Sequence, residues 1–416
     1  MGVLVMSQYN DRVIREGPSF VFSGRITSFV ADTLADLALS SGPLHEELKL
    51  DFGRTTAAYA NAMASIVMTV RELRRQNHIV SLTLPAKTDI ARLFVSTNWA
   101  HYLEPSRYGV RQQVSDRHLP MRAFAEETAQ SEVVRQTMDI VLSTTRLSRD
   151  LYLALDWALQ EVTDNVLCHA GAELGGIIQV ITKSDDVQVV VADAGCGVLT
   201  SMRERFSTLT HDEDAIIEAA KQGVTSKPST NQGNGLAGTL SVGLASGGSL
   251  SILSGVARVW WTAGAREAKY RCHNSHHRGT LVDLSLRRKR DFNVSRALSL
   301  GGAPAMLDGY LEHRYWAQAD DAYRLRIIEA PAGFASRGAG ELVRRKCINI
   351  LADPKAALVV DWSGIQIVSS SFADEVMAKL RVELGSGAFN RRVRSDGMTD
   401  EVRDAIGRSF ANRPSK

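Results

Sequence analysis

The chain has 416 residues, 44% of them hydrophobic and 23% charged, with a formal charge of +3. That length exceeds what one hydrophobic core organises, and that apolar content excludes extended disorder, so two or three domains are expected. The small net charge offers no concentrated basic face for nucleic acid, no run is long and apolar enough to cross a bilayer, and Cys168, Cys196, Cys272 and Cys347 show no paired spacing, so a cytoplasmic, reducing setting is expected.

Taken in chain order, residues 48–52 read as a strand, 55–76 as a helix and 79–84 as a second strand. Ala60, Met63, Ile66, Val67 and Val70 fall on one stripe of that helix at spacings near three and four, so one face is expected to lie on a sheet. A further helix at 89–103 and a loop around Pro120 complete a first α/β segment, 1–125. Two helices, 132–145 and 149–170, open the middle segment, 126–290. Strands at 176–182 and 188–193 flank the Ser-Asp-Asp turn at 184–186, and strands at 250–254, 258–263 and 281–286 complete a mainly antiparallel or mixed sheet beneath the helices. The basic run Arg287, Arg288, Lys289 and Arg290 reads as a solvated strand end. From 291 to 416 a polar connector leads to strands at 323–329 and 356–361 and helices at 336–351 and 372–384. This order mirrors the first segment, and without a sequence repeat the symmetry is architectural.

Chemistry concentrates in the middle segment. On the helix 149–170, Leu155, Leu159, Val162 and Val166 form a core stripe, while Glu161, Asn165 and His169 are each four apart and drift only about 40° per step. A carboxylate, an amide oxygen and an imidazole thus face one place. Downstream, VVVADAGCGV at 189–198 runs an apolar strand into Asp193, which could accept a hydrogen bond from an exocyclic amine. Gly195 and Gly197 lack a Cβ and let a flat ligand approach the backbone. A third element, 223–245, is polar up to Gln232 and then begins a helix with Leu236, Leu240 and Val242. Gly233 and Gly235 stand where that helix starts, and its free N–H groups and dipole favour phosphate. GNGLAG also satisfies the dinucleotide pattern G-x-G-x-x-G, but no strand precedes it, and no P-loop is present. Each element alone is common.

Their order, followed by SLSILSG at 249–255 and RGTLVDLSL at 278–286, is what resembles the GHKL superfamily of gyrase, heat-shock chaperone, histidine-kinase and MutL ATP-binding domains, over residues 132–287. E-x-x-x-N looks like the family's N box, Asp193 with Gly195 and Gly197 like its first glycine box, Gly233 with Gly235 like its second, and Gly279-Thr280 like the strand position behind the adenine. The resemblance implies an α/β (α+β) Bergerat-type sandwich that binds ATP and Mg²⁺. In it Asn165 ligates the metal, Asp193 holds the adenine amino group with support from Thr280, and Lys227 reaches a phosphate from a polar lid. Gly195, Gly197, Gly233, Gly235 and Leu236 complete the cofactor-binding set, and Glu161 is the general base acting on a water or on a protein hydroxyl. His169 reads as a supporting group of the N box. Cys272, His273, His276 and His277 are expected at a hairpin tip with a spacing that fits no usual zinc pattern. The helix 132–145 has no histidine and His118 lies in a loop context, which argues against a histidine kinase.

In the last segment ALVVDWSGIQIVSSSFADEVMAKL, 357–380, resembles a STAS-like domain of anti-sigma-factor antagonists, and SFADE at 371–375 looks like a STAS-like family usually attached to such ATP domains. The usual Asp-Ser-Ser-Gly turn is replaced by Ser369-Ser370-Ser371-Phe372. Ser370 aligns with the serine that anti-sigma kinases phosphorylate, and it also reads as a helix N-cap. The first segment resembles a second, more diverged STAS-like domain. Together these resemblances imply a slow ATPase or ATP-driven switch acting on STAS-like interaction domains and a protein partner, or alternatively an anti-sigma-type protein serine kinase; a homodimer is compatible with either.

Overall fold

The computed structural model describes residues 11–40, 44–111, 118–169, 175–183, 186–221, 223–224, 235–288, 291–298, 309–330 and 333–413. The fold is mixed α/β, built on three sheets in succession along the chain.

The first sheet has the order β1 (Arg12–Glu16), β2 (Ser19–Ile26), β3 (Glu47–Ala58) and β4 (Ile79–Thr83). The first pair is antiparallel and the other two are parallel, so helices α1 (Ser28–Ala35) and α2 (Ala60–Arg75) make the crossovers that parallel neighbours require. The helix expected from residue 55 starts at Ala60, because Thr55, Ala57 and Ala58 extend β3 along the far end of β2 beyond a bulge. The single helix expected at 89–103 is two, α3 (Thr88–Ser96) and α4 (Trp99–Leu103). The break is Asn98, left-handed at φ 65°, whose side chain donates to Met121 O and Arg111 O and accepts from Arg111 N.

The central sheet has the order β5-β6-β7-β9-β8, from β5 (His118–Phe124), β6 (Gly176–Thr182), β7 (Asp186–Asp193), β8 (Ser249–Thr262) and β9 (Lys269–Arg287), and every neighbouring pair is antiparallel. Pro120, expected in a loop, lies within β5 on the sheet edge, where the ladder slips between Leu119 and Arg122 and a missing N–H is tolerated. The two strands expected at 250–254 and 258–263 are one, β8, interrupted by an irregularity at Gly255. Gly255 has φ +60°, and the carboxylate of Asp212, the first residue of α8 (Asp212–Ala219), fills the space a side chain would take and accepts from Val256 N. β9 extends far beyond the predicted 281–286, so Cys272, His273, His276 and His277 lie inside a strand and not at a hairpin tip.

Both faces of this sheet are covered. Along β7, Val187, Val189 and Val191 join the core under α5 (Glu127–Thr144), α6 (Arg149–His169) and α9 (Gly235–Ala245), whereas Val190 and Ala192 join the core of the first sheet. Helix α2 is therefore caught between two sheets. Met63, Ile66, Val67 and Val70 are fully buried, and so are Ala62 and Ser65 on its other sides, which a one-face stripe does not foresee. Polar ties accompany the apolar contact: Asn61 Nδ2 donates to Asp283 Oδ2 at 2.8 Å, and Arg258 on β8 holds Asp32 on α1 through Nη2 at 2.8 Å and Nε at 3.2 Å.

The third sheet, β10 (Trp316–Ala317), β11 (Ala322–Arg326), β12 (Leu358–Asp361) and β13 (Val393–Asp396), repeats the first in order and sense: one antiparallel pair, then two parallel. After β11 the chain turns into a 3-10 segment, Ile327–Glu329, ending the strand earlier than expected. Helix Arg337–Ile350, capped by Ser336, packs on α5. Its Asn349 Nδ2 donates to Leu142 O and Thr145 O, and Arg345 Nη1 donates to Thr144 O, so this helix satisfies carbonyls left open where α5 ends. Helix Ser370–Ala373, continued by a π turn Asp374–Ala378 and by Lys379–Leu384, is capped by Ser369, which accepts from Phe372 N. Ser370, the expected cap, is instead the exposed first residue of the helix. No helix among the described residues is long and apolar enough to cross a membrane.

Candidate functional site

The site begins at the end of β7. Strand alternation places Asp193 on the same face as Val189 and Val191, toward α6, and the same parity puts Thr280 on β9 and Ser254 on β8 on that face. A row of three polar residues thus crosses the end of the sheet. Asp193 is buried, its Oδ1 accepts from Gly195 N at 2.7 Å, and its carboxylate also receives the Thr280 backbone N–H. Burial pushes the Asp193 carboxyl up to about 6, against the pull of those two N–H groups and of Arg71, which reaches this end from α2. Thr280 contributes its main chain to the aspartate.

Glycine is obligatory beside it. Gly279 has φ +83°, and a Cβ there would stand 2.2 Å from Asp193 O. Gly197, at φ +79°, precedes helix α7 (Val198–Arg203), and a Cβ there would meet Ser254 Oγ at 2.9 Å. Ser254 ties the turn to the sheet: its Oγ donates to Gly279 O and accepts from Val198 N, both at 2.9 Å. Arg278 Nε adds a bond to Ala194 O at 3.1 Å. Ser254, Arg278 and Arg71 were not among the expected site residues; the signal for Ser254 was its parity with Leu250 and Ile252 at a strand end. Replacing Ser254 with Ala leaves Val198 N–H and Gly279 C=O without their shared partner. The expected loss is about 1–3 kcal/mol in thermal unfolding, and a melting temperature equal to wild type would remove this role.

Helix α6 covers the row. Val166 lies against Gly176, where a Cβ would come 2.9 Å from Val166 Cγ1, and Gly176 is the β6 partner of Asp193. Glu161 sits one turn earlier than Asn165, and its carboxylate touches the first residue of α9: a Cβ on Gly235 would stand 2.4 Å from Glu161 Oε2. Gly238 admits the Trp157 ring in the same way, at 2.2 Å, so the glycines of GLAG let α9 lie close along α6. Burial raises the Glu161 carboxyl above its usual range, and Asp164 raises it further. Asn165 is half-buried on the same helix, and Leu236 is half-buried on the first turn of α9.

The structure therefore brings together Glu161, Gly235 and the start of α9, and separately Asp193, Gly195, Gly197, Gly279 and Thr280, with α6 spanning both groups. Lys227 and Gly233 lie outside the described residues, as does the side chain of His169. His273 and His277 belong elsewhere, beside Asp32 and Arg258. Chemically, the arrangement offers a buried acceptor at the sheet end, and a carboxylate of raised proton affinity beside a helix N-terminus.

No protein-family model matches the chain, and no curated protein matches its sequence.

Proposed function

We propose that the central unit is a GHKL-type ATP- and Mg²⁺-binding domain that turns ATP over slowly, or cycles between bound and free forms, and acts through STAS-like flanking domains on a protein partner. The observation that carries this reading is the seating of α6 over the sheet end, with Glu161 against the start of α9 and Asp193 buried beside Thr280. In this reading Asp193 accepts from the adenine amino group, Gly195 and Gly197 let the base approach, and Gly233, Gly235, Leu236 and Lys227 surround the phosphates. Asn165 gives its amide oxygen to Mg²⁺, a hard ion that keeps several waters. Glu161, with its raised proton affinity, polarises the nucleophile. The flanking units are placed to respond, since α2 lies against the strands leading to Asp193, and helix Arg337–Ile350 closes the end of α5.

The test is calorimetric titration with ATP and GTP, with and without Mg²⁺. ATP is expected to bind more tightly than about 1 mM. Guanine presents a carbonyl where adenine presents an amine, facing Asp193 with a second acceptor, so GTP is expected to bind at least roughly tenfold more weakly. Equal affinities, or no binding, overturn the proposal. A second reading, a protein serine kinase of the anti-sigma type, draws on the exposure of Ser370 at the first position of its helix. Mass spectrometry after incubation with ATP decides it, and absence of phosphoserine on the chain and on its candidate partners removes it.

A further inference from the structure

A cleft of about 360 Å³ opens between α5 and the third sheet, and none of the residues assigned to the nucleotide lines it. Its apolar walls are Leu325 and Ile327 at the end of β11 and Leu342 and Val343 on helix Arg337–Ile350. Its charged lining is unbalanced: Arg135, Arg314, Arg326 and Lys346 stand against Asp139 and Glu329, four cations to two carboxylates.

Sharing shows the shortage of negative charge. Glu329 serves both Arg314 and Arg326, the latter at 3.3 Å. Asp139 serves Lys346 at 2.9 Å and Arg135 at 3.0 Å and also accepts the Tyr315 hydroxyl at 2.6 Å. Even with Glu132, which takes the other edge of Arg135 from outside the lining, the cations outnumber the acids among the described residues. Arg314 Nε is a buried donor with no acceptor among the described residues. A phosphate group carries about 1.5–2 negative charges and several acceptor oxygens, which matches both the charge excess and the open donor.

We propose that this cleft binds a small phosphorylated molecule with an apolar, ring-sized body. The phosphate sits among Arg135, Arg314 and Arg326, and the body lies on Leu342, Val343 and Ile327. One wall belongs to α5 and the other to the third sheet and its helix, so an occupant fastens the last domain to the central one. The site is independent of the nucleotide assignment and stands or falls separately.

The probe is phenyl phosphate, titrated into the full chain without nucleotide, with inorganic phosphate and phenol as the charge-only and ring-only arms. Phenyl phosphate is expected to bind with a Kd below about 1 mM and to raise the melting temperature, each half alone binding at least roughly tenfold more weakly. Arg326→Gln removes a half-exposed cation whose ion pair among the described residues is with Glu329 and should weaken phenyl phosphate by about tenfold, and Leu342→Trp fills the apolar wall and should abolish binding. Both variants should melt as wild type without the probe, which separates lost binding from lost folding. Phenyl phosphate binding no better than inorganic phosphate, or equal binding by wild type and both variants, overturns the proposal.

Discussion

Glu161→Ala should leave ATP binding within a few-fold of wild type and lower turnover by roughly 10²–10⁴-fold, the contribution a positioned general base usually makes. The carboxylate touches the start of α9, where Gly235 leaves room for it, so its removal opens space without exposing a core side chain. Asn165→Ala, one helical turn on, should behave differently. If Asn165 is the Mg²⁺ ligand proposed above, the substitution removes an oxygen donor and not a base, so the Mg²⁺-dependent part of the affinity should fall, while metal-free binding through Asp193 should stay. Steady-state phosphate release beside calorimetry with and without EDTA separates the two. If Glu161→Ala hydrolyses ATP at the wild-type rate, the carboxylate has no part in the chemistry. If it loses binding as well, its role is to seat α9 and not to activate a nucleophile.

Breaking the Arg258–Asp32 pair should produce the largest stability loss outside the site. Both side chains are nearly fully buried, and they join α1 to β8 by two hydrogen bonds. Arg258→Met leaves Asp32 charged in a buried interface, at an expected cost of about 3–5 kcal/mol. Asp32→Leu together with Arg258→Met removes both charges and should recover most of that loss, because a buried pair is expensive to split and cheap to replace whole. A double variant as unstable as the single one would show that packing, not charge, holds this joint. The same interface should be acid-sensitive. His277 and His273 lie beside the pair; burial holds them toward the neutral form, helped by Arg258 and, for His277, first by His273, against the pull of Asp32 and Asp36, and His277 is lowered to about 4. A histidine whose folded value lies below its unfolded value binds protons more weakly when folded. The interface therefore has its full stability above about 6.5 and loses it as pH falls toward 4, by about 3 kcal/mol for His277. Hydrogen exchange of the α2 amides at pH 7 and pH 5 reads this directly, and unchanged protection at pH 5 would contradict it.

Which of these features could be read before the structure depends on how far apart the partners are in the chain. Helix α6 was legible almost to the residue, because its apolar stripe and the polar stripe of Glu161 and Asn165 both follow from the helical period. The end of β7 was legible for a similar reason: an apolar run stops at Asp193 and two glycines follow. Errors cluster where local pattern is silent or shared by two states. Thr55, Ala57 and Ala58 fit a helix by composition and are held in a strand by β2. Pro120 looks like a loop until an edge position excuses its missing N–H. Ser369, and not Ser370, caps its helix, a choice between adjacent serines that only backbone geometry makes.

The chain alone thus determined many of its strands and helices, α5, α6, β6 and β7 among them, the mirrored order of its first and last segments, and the residues gathered on one face of α6, since each depends on spacings of a few residues. Tertiary structure alone decided that α2 is buried on all sides from Ala62 to Val70, that Ser254 joins two glycine turns, that Gly235 makes room for Glu161 and that Arg258 meets Asp32. Those contacts pair residues tens to hundreds of positions apart, and helical or strand periodicity reports which face is apolar without naming what will cover it.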